Sequence, residues 1–275
     1  MRINGKEIRD RMKAEFHEEV AAFKHAPHLA VISVGQNPVI RGFVNLKKKF
    51  AEDIGVVFTE DIFSSDVSFL QIQKRIEELN RDLEVTGIIV QLPLPVHLDV
   101  NVILNMICLQ KDVDVLSQKA NVYFEKGESL VLTPVVAAVA QICREAKVEI
   151  QGRKALVLGH GRLVGAPVAV WLKKQGADVT VIDEPLPNLG NFTKNADIIV
   201  CGAGVPWVIK PEMLKHGVVL LDAGTSEDGG VIVGDVDPRC EEIASVFTPV
   251  PGGIGPVTVA MIFKNLLILH QKSVH

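Results

Sequence analysis

The chain alternates between short, continuously apolar runs and longer stretches in which apolar residues recur at every third or fourth position. Ile8, Met12, Phe16 and Val20 fall four apart, which predicts an amphipathic helix over residues 6–24. Leu29-Ala30-Val31-Ile32-Ser33-Val34 reads as a buried strand ending at Gly35. Asn37-Pro38 opens a second helix that ends near Ile54-Gly55, with proline at the start and glycine after the last turn. Val56-Val57-Phe58 predicts a second strand and Ser68 to Leu79 a third helix. Gly87-Ile88-Ile89-Val90-Gln91 predicts a third strand, stopped by Leu92-Pro93-Leu94-Pro95. Strands that are apolar on both faces and separated by helices predict a parallel sheet covered on both sides.

After a helix from Thr133-Pro134 to about Ala146 the pattern restarts. Lys154–Leu158 is a strand, a glycine-rich turn and a helix to Gly176 follow, and Val179–Asp183 is the next strand. Two more strands are expected at Asp197–Cys201 and Val218–Asp222, and a final helix at Val257 to about Gln271. This second series has the order of a doubly wound unit. The reading is therefore an α/β protein of two domains, with the boundary in 115–135 around Lys126-Gly127-Glu128.

Composition changes this picture little. Hydrophobic residues make up 48% and charged residues 23%, with a formal charge of −4 and both signs interspersed. Without a basic stripe, nucleic acid is not an expected partner. No run of about 18 uninterrupted apolar residues speaks for a membrane span. Cys108, Cys143, Cys201 and Cys240 are scattered without ligand-like spacing, so neither a disulfide framework nor a metal site is expected. The opening residues carry no apolar secretion segment, and a cytoplasmic location is expected.

The sharpest local signal is Gly159-His160-Gly161-Arg162-Leu163-Val164-Gly165, placed between a strand and a helix. Glycines there allow a tight turn and bring backbone amides close to a pyrophosphate at the helix N-terminus. The bland alternative is a plain strand-to-helix turn. Asp183, at the tip of the next strand, can accept hydrogen bonds from an adenine ribose diol and would repel a 2′-phosphate; the alternative is a solvated strand-end acid. Glu184 adds to the negative field, and Arg162 is the nearby cation that would act against it. NAD is favoured over NADP on these grounds.

Val34-Gly35-Gln36-Asn37-Pro38, Gln91-Leu92-Pro93-Leu94-Pro95, Lys111-Asp112-Val113-Asp114, Val164-Gly165-Ala166-Pro167, Val233-Gly234-Asp235-Val236 and Thr248-Pro249-Val250-Pro251-Gly252-Gly253-Ile254-Gly255-Pro256 follow one another along the chain. With these strings in this order, the chain closely resembles the bifunctional methylenetetrahydrofolate dehydrogenase/cyclohydrolase family, almost end to end. The resemblance implies a folate-binding catalytic domain (residues 1–118 plus 252–275) and a Rossmann domain (119–251), a homodimer, and NADP as the usual cofactor. It also implies oxidation of 5,10-methylenetetrahydrofolate and hydrolysis of the methenyl product to 10-formyltetrahydrofolate. Lys47 matches the family's catalytic lysine, Gln91 its amide partner and Asp114 the carboxylate that holds the pterin. Phe43 would stack on the substrate, and Pro251, Gly252 and Gly253 would line it. Gly159, His160, Gly161, Arg162, Val164, Gly165 and Asp183 would bind the dinucleotide. Taken alone, Lys47-Lys48-Lys49 reads as a solvated face, Gln91 as a strand-end polar group, and Asp112 and Asp114 as loop caps.

Several positions depart from the family pattern. Phe43 replaces a tyrosine, Ile40 a common serine, and Val115 and Val136 usual glycines. Val131-Leu132-Thr133-Pro134 replaces Pro-Cys-Thr-Pro, and His160-Gly161 replaces the Arg-Ser that grips a 2′-phosphate. Losing a charge-assisted contact worth about 1.5–3 kcal/mol again favours NAD. Two other readings remain beside the bifunctional enzyme: a catalytically silent folate- or dinucleotide-binding relative, and a dehydrogenase without the hydrolase step.

Overall fold

The apolar runs and the periodic stretches become strands and helices that alternate through much of the chain. The structure, a computed structural model, describes residues 1–273 apart from Pro185, Gly230 and the side chain of Val39. In chain order the first part holds α1 (Gly5–Ala21), β1 (His28–Val34), α2 (Pro38–Ile54), β2 (Val57–Phe63), α3 (Phe69–Arg81), β3 (Gly87–Val90), α4 (Val100–Asn105) and α5 (Gln118–Lys126). The second part holds α6 (Pro134–Glu145), β4 (Lys154–Leu158), α7 (Gly165–Lys174), β5 (Asp178–Ile182), α8 (Leu189–Thr193), β6 (Ile198–Cys201) and β7 (Val219–Asp222). It continues with the antiparallel pair β8 (Ser226–Asp228) and β9 (Val231–Val233), then β10 (Val246–Thr248) and α9 (Ile254–Ser273).

Contacts divide the chain into two compact units, Asp10–Pro134 with Val259–His275, and Met1–Arg9 with Val135–Thr258. The seam after residue 134 lies later than the 118/119 bound expected from sequence. The intervening α5 is tied to α4, where the Gln118 N–H donates to Asn105 Oδ1 at 2.6 Å. The stretch around Lys126-Gly127-Glu128 is accordingly a helix end: Gly127 closes α5 in the left-handed conformation at φ 80°.

The unit built on Asp10–Pro134 has a three-stranded parallel sheet in the order β2-β1-β3. Alternate residues of β1 and β3 (Ala30, Ile32, Ile88, Val90) pack with Ile72, Ile76 and Leu79 of α3 and Ile103 and Leu104 of α4. The residues between them, Leu29, Val31 and Ile89, are buried as well. Phe16 of α1, Phe50 of α2 and Phe263 of α9 form an aromatic row, with centroids 6.4 and 4.9 Å apart. α9 is apolar and long enough to cross a membrane by composition, yet 61% of its apolar window is buried inside the fold, as in a core helix. β2 runs four residues longer than its apolar core suggests, because it is an edge strand with exposed alternate positions.

The other unit carries a five-stranded, all-parallel sheet in the order β10-β7-β6-β4-β5. From β4, which lies between β5 and β6, the chain passes through α7 to β5 on one side, then returns to β6 on the other. In doubly wound sheets ligands bind at the carboxyl ends of the strands flanking such a reversal, here β4 and β6.

Val115, one of the departures from the family, stands at φ 58° with its side chain 1% exposed. A β-branched residue in the left-handed region is strained, by about 1–2 kcal/mol, and glycine escapes that cost. Removing the side chain should therefore reverse the usual ranking. Val115→Gly is expected to be about 1 kcal/mol more stable than Val115→Ala in urea unfolding, whereas glycine is normally the worse residue. Alanine the more stable of the two would contradict the strain.

Candidate functional site

Pro38 fits the first position of α2, where its missing N–H is no loss. From that start, the four-residue spacing puts Phe43 and Lys47 on one helix face. Phe43 is 37% exposed, whereas Lys47 is 8% exposed. The lysine run therefore splits: Lys48 and Lys49 are exposed, and Lys49 pairs with Asp53 on the next turn. Only Lys47 is drawn inward.

Its partner comes from the end of β3. The Gln91 N–H continues the sheet by donating to Ile32 O at 2.8 Å, which sets the residue at the carboxyl edge of the strand. Lys47 Nζ donates to Gln91 Oε1 at 2.6 Å, and Gln91 Nε2 donates to Leu92 O at 2.9 Å. The second bond decides which end of the amide faces the lysine: the oxygen must. Burial lowers the Lys47 pKa below the ordinary lysine value, and the nearby Asp114 carboxylate opposes that shift.

The two aspartates after Lys111 differ in kind. Asp112 is buried and accepts the N–H groups of Leu116 and Ser117, at 3.2 and 2.9 Å, so it caps the turn. Asp114 is partly exposed, and burial of its charge pushes its pKa up to about 6 against the pull of Lys47, with Asp112 adding to the rise. A carboxylate that caps nothing, facing a desolvated ammonium, is an acceptor available to a ligand with paired N–H donors.

In the second unit, Gly159 and Gly165 are required by close approach. A Cβ on Gly159, at φ 89°, would lie 2.5 Å from Gly202 O, and one on Gly165 would lie 1.9 Å from Gly159 O. At Gly161 a Cβ would meet nothing within 4 Å, so that glycine keeps open space over the turn. Tight packing at the outer glycines and room at the middle one suits a pyrophosphate laid against the start of α7, which Val164 precedes. Asp183 reaches this turn: its Oδ1 accepts the His160 N–H at 2.9 Å. His160 and Arg162 are exposed.

Pro251, Gly252 and Gly253 lie in the loop before α9, within the unit that holds the glycine-rich turn. Gly252 O accepts the Gly5 N–H at 2.9 Å, and a Cβ on Gly5 would lie 1.8 Å from Gly253 O. Lys47, Gln91 and Asp114 are thus brought together in one unit, while the loop glycines belong to the other. Sequence reasoning missed Gly5, whose need is visible only in this approach. It also missed Asp222 and Asp235, each buried and each accepting three backbone N–H groups. The signal available was an acid closing an otherwise apolar run. Among the described residues, no group of three or more His, Cys, Asp or Glu is placed to hold a metal ion.

Comparison with known proteins agrees with this division of labour. Residues 3–114 match the family described as tetrahydrofolate dehydrogenase/cyclohydrolase, catalytic domain, and residues 133–274 match its NAD(P)-binding domain. The bifunctional protein FolD of Halothermothrix orenii is 37% identical over 276 residues, covering 96% of this chain and 95% of that protein. The crystal structure of the bifunctional FolD enzyme of Campylobacter jejuni is 33% identical, with a TM-score of 0.95 over 99% of each chain. The Trypanosoma brucei methylenetetrahydrofolate dehydrogenase-cyclohydrolase, complexed with NADP and an inhibitor, is 32% identical with a TM-score of 0.96, over 100% of this chain and 98% of that one. The chain belongs to the tetrahydrofolate dehydrogenase/cyclohydrolase family, with an α/β catalytic domain and an NAD(P)-binding domain.

Proposed function

We propose that this protein oxidises 5,10-methylenetetrahydrofolate to the 5,10-methenyl form with a nicotinamide dinucleotide and hydrolyses that product to 10-formyltetrahydrofolate. The observation that carries the reading is the buried Lys47 held 2.6 Å from the Gln91 oxygen. Hydrolysis adds water to the methenyl carbon, then breaks its bond to N5 while N5 gains a proton. A lysine whose pKa is lowered by burial can take one proton of the attacking water and return it to N5, the second passing to solvent as the formyl C=O forms. Gln91 orients the amine without neutralising it, and Asp114 accepts the pterin N–H donors. Phe43 offers its exposed ring for stacking but has no hydroxyl to donate.

When bound, the dinucleotide supplies the hydride acceptor. Gly159, Gly161 and Gly165 would let the backbone of the turn come close to its pyrophosphate, and Asp183 would hold its adenine ribose. NAD rather than NADP is the preferred form: the Asp183 carboxylate is fixed on the turn by the His160 N–H, where a 2′-phosphate would meet its charge. The oxidation leaves a cation stabilised by two flanking nitrogens, so it depends on positioning more than on Lys47. A homodimer in the cytoplasm is the family-based expectation that accompanies this reading.

Lys47→Met is expected to lower methenyl hydrolysis by about 10²–10⁴-fold with dehydrogenation largely retained, both followed by the methenyl absorbance. Unchanged hydrolysis would remove Lys47 from the chemistry. Gln91→Glu sets a carboxylate against the ammonium and raises its pKa, so the alkaline rise of hydrolysis should move to higher pH. A pH profile identical to that of the parent would show that Gln91 does not tune the lysine. In steady-state assays, kcat/KM with NAD should exceed that with NADP by about tenfold or more. The opposite order would assign phosphate binding to Arg162.

A further inference from the structure

Beyond the glycine-rich turn, the NAD(P)-binding unit contains a pair of buried acids that hold backbone N–H groups. Asp222 closes β7 at 2% exposure, and Asp235 follows β9 at 0%. Asp222 Oδ1 accepts the N–H groups of Gly224 and Asp235 at 2.9 and 3.2 Å, and its Oδ2 accepts that of Val236 at 3.0 Å. Asp235 Oδ2 accepts the N–H groups of Ala203 and Gly204 at 2.7 and 3.2 Å, and its Oδ1 accepts that of Val205 at 2.9 Å. The fit leaves no slack. A Cβ on Gly224 would lie 2.3 Å from the Asp235 carboxyl carbon, and one on Gly234 would lie 2.0 Å from Asp222 Oδ2. The titratable groups facing the pair are each other and the thiols of Cys201 on β6 and Cys240 in the 3-10 turn Pro238–Glu242. Burial raises both carboxyls, Asp222 to about 7. Six backbone N–H groups, not a cation, offset that cost.

The sheet order says what this pair is for. Leu158 of β4 pairs with Ile182 of β5 on one side and with Cys201 of β6 on the other, so the three strands end level. A pyrophosphate on the turn after β4, with its adenine ribose at Asp183 after β5, directs the other end of the dinucleotide over β6. The loop after β6 is Gly202-Ala203-Gly204-Val205. Its three consecutive N–H groups are consumed by Asp235, so it can offer a ligand acceptors but not those donors. A nicotinamide carboxamide has two N–H donors to place.

We propose that Asp235 is a positioning residue for the nicotinamide end of the dinucleotide, acting through loop 203–205 and held in place by Asp222. The inference rests on the reading of this unit as the dinucleotide site. Asp235→Asn keeps the shape but turns an N–H₂ group toward backbone donors, losing at least one of the three bonds.

The test measures dehydrogenation kinetics on the full chain, and binding of ADP-ribose, which shares every part of NAD except the nicotinamide. In Asp235→Asn the kcat/KM for NAD should fall at least about tenfold, while ADP-ribose affinity stays within about twofold. Unchanged dehydrogenation, or equal loss of ADP-ribose binding, overturns the proposal. If that variant does not fold, Gly204→Ala decides: its Cβ meets open space, but alanine disfavours φ 69°, so the N–H that Gly204 gives Asp235 is displaced while both carboxylates are kept. The same split is expected there, and its absence overturns the proposal equally. A parent protein that binds neither NAD, NADP nor ADP-ribose would instead refute the dinucleotide reading itself.

Discussion

An ammonium removed from water must be compensated or must lose its proton, and the catalytic unit is organised around one such group. Lys47 is 8% exposed and touches a neutral amide oxygen rather than a carboxylate. Had an acid stood at position 91, the pair would have been a buried salt bridge with the lysine held fully charged. The amide accepts one hydrogen bond and leaves the charge only weakly stabilised. The rest of the unit serves this contact: β3 ends at Gln91, the carbonyl of Leu92 fixes the amide, and α2 carries the lysine inward on the face of Val44 and Ala51, both 0% exposed. Asp114 attracts the ammonium from the next loop and is itself pushed up by burial. Two groups whose environments move their pKa values toward neutrality from opposite sides form a setting for proton transfer near neutral pH.

The NAD(P)-binding unit meets a different constraint. Its strands, helices and loops approach one another closely, so glycines decide where the chain can come close. Gly159 and Gly165 let β4 and α7 touch, and Gly224 and Gly234 let two carboxylates reach the N–H groups of neighbouring loops. Backbone donors are thereby divided. In the turn before α7 the Val164 and Ala166 N–H groups are given to Gly161 O, and those of loop 203–205 are taken by Asp235.

Much of this was legible in the sequence because continuous apolar runs of four to six residues mark parallel strands well. β1, β3, β4, β6 and β7 lie within a residue or two of their expected bounds. The short elements α4, α5, α8 and β10 were not legible: three to nine residues carry too little periodicity, and Gly127 marks a helix end as readily as a linker. At the site, spacing alone put Phe43 and Lys47 on one face, and the family resemblance singled out Lys47 and Gln91. Burial was the missing quantity. Nothing in Lys47-Lys48-Lys49 says which lysine turns inward, nor in Asp112 and Asp114 which acid caps the turn. Asp235 was legible only as part of a motif, since its role depends on N–H groups thirty residues earlier in the chain.

The most direct test of the central claim is the titration of Lys47 itself, by NMR of lysine-labelled protein with the signal assigned through its loss in Lys47→Met. Lys47 should titrate clearly below the free-lysine value of about 10.4, apart from the exposed lysines of the same helix. A Lys47 that titrates at or above that value would contradict the account, because a fully charged ammonium could not take a proton from water near neutrality.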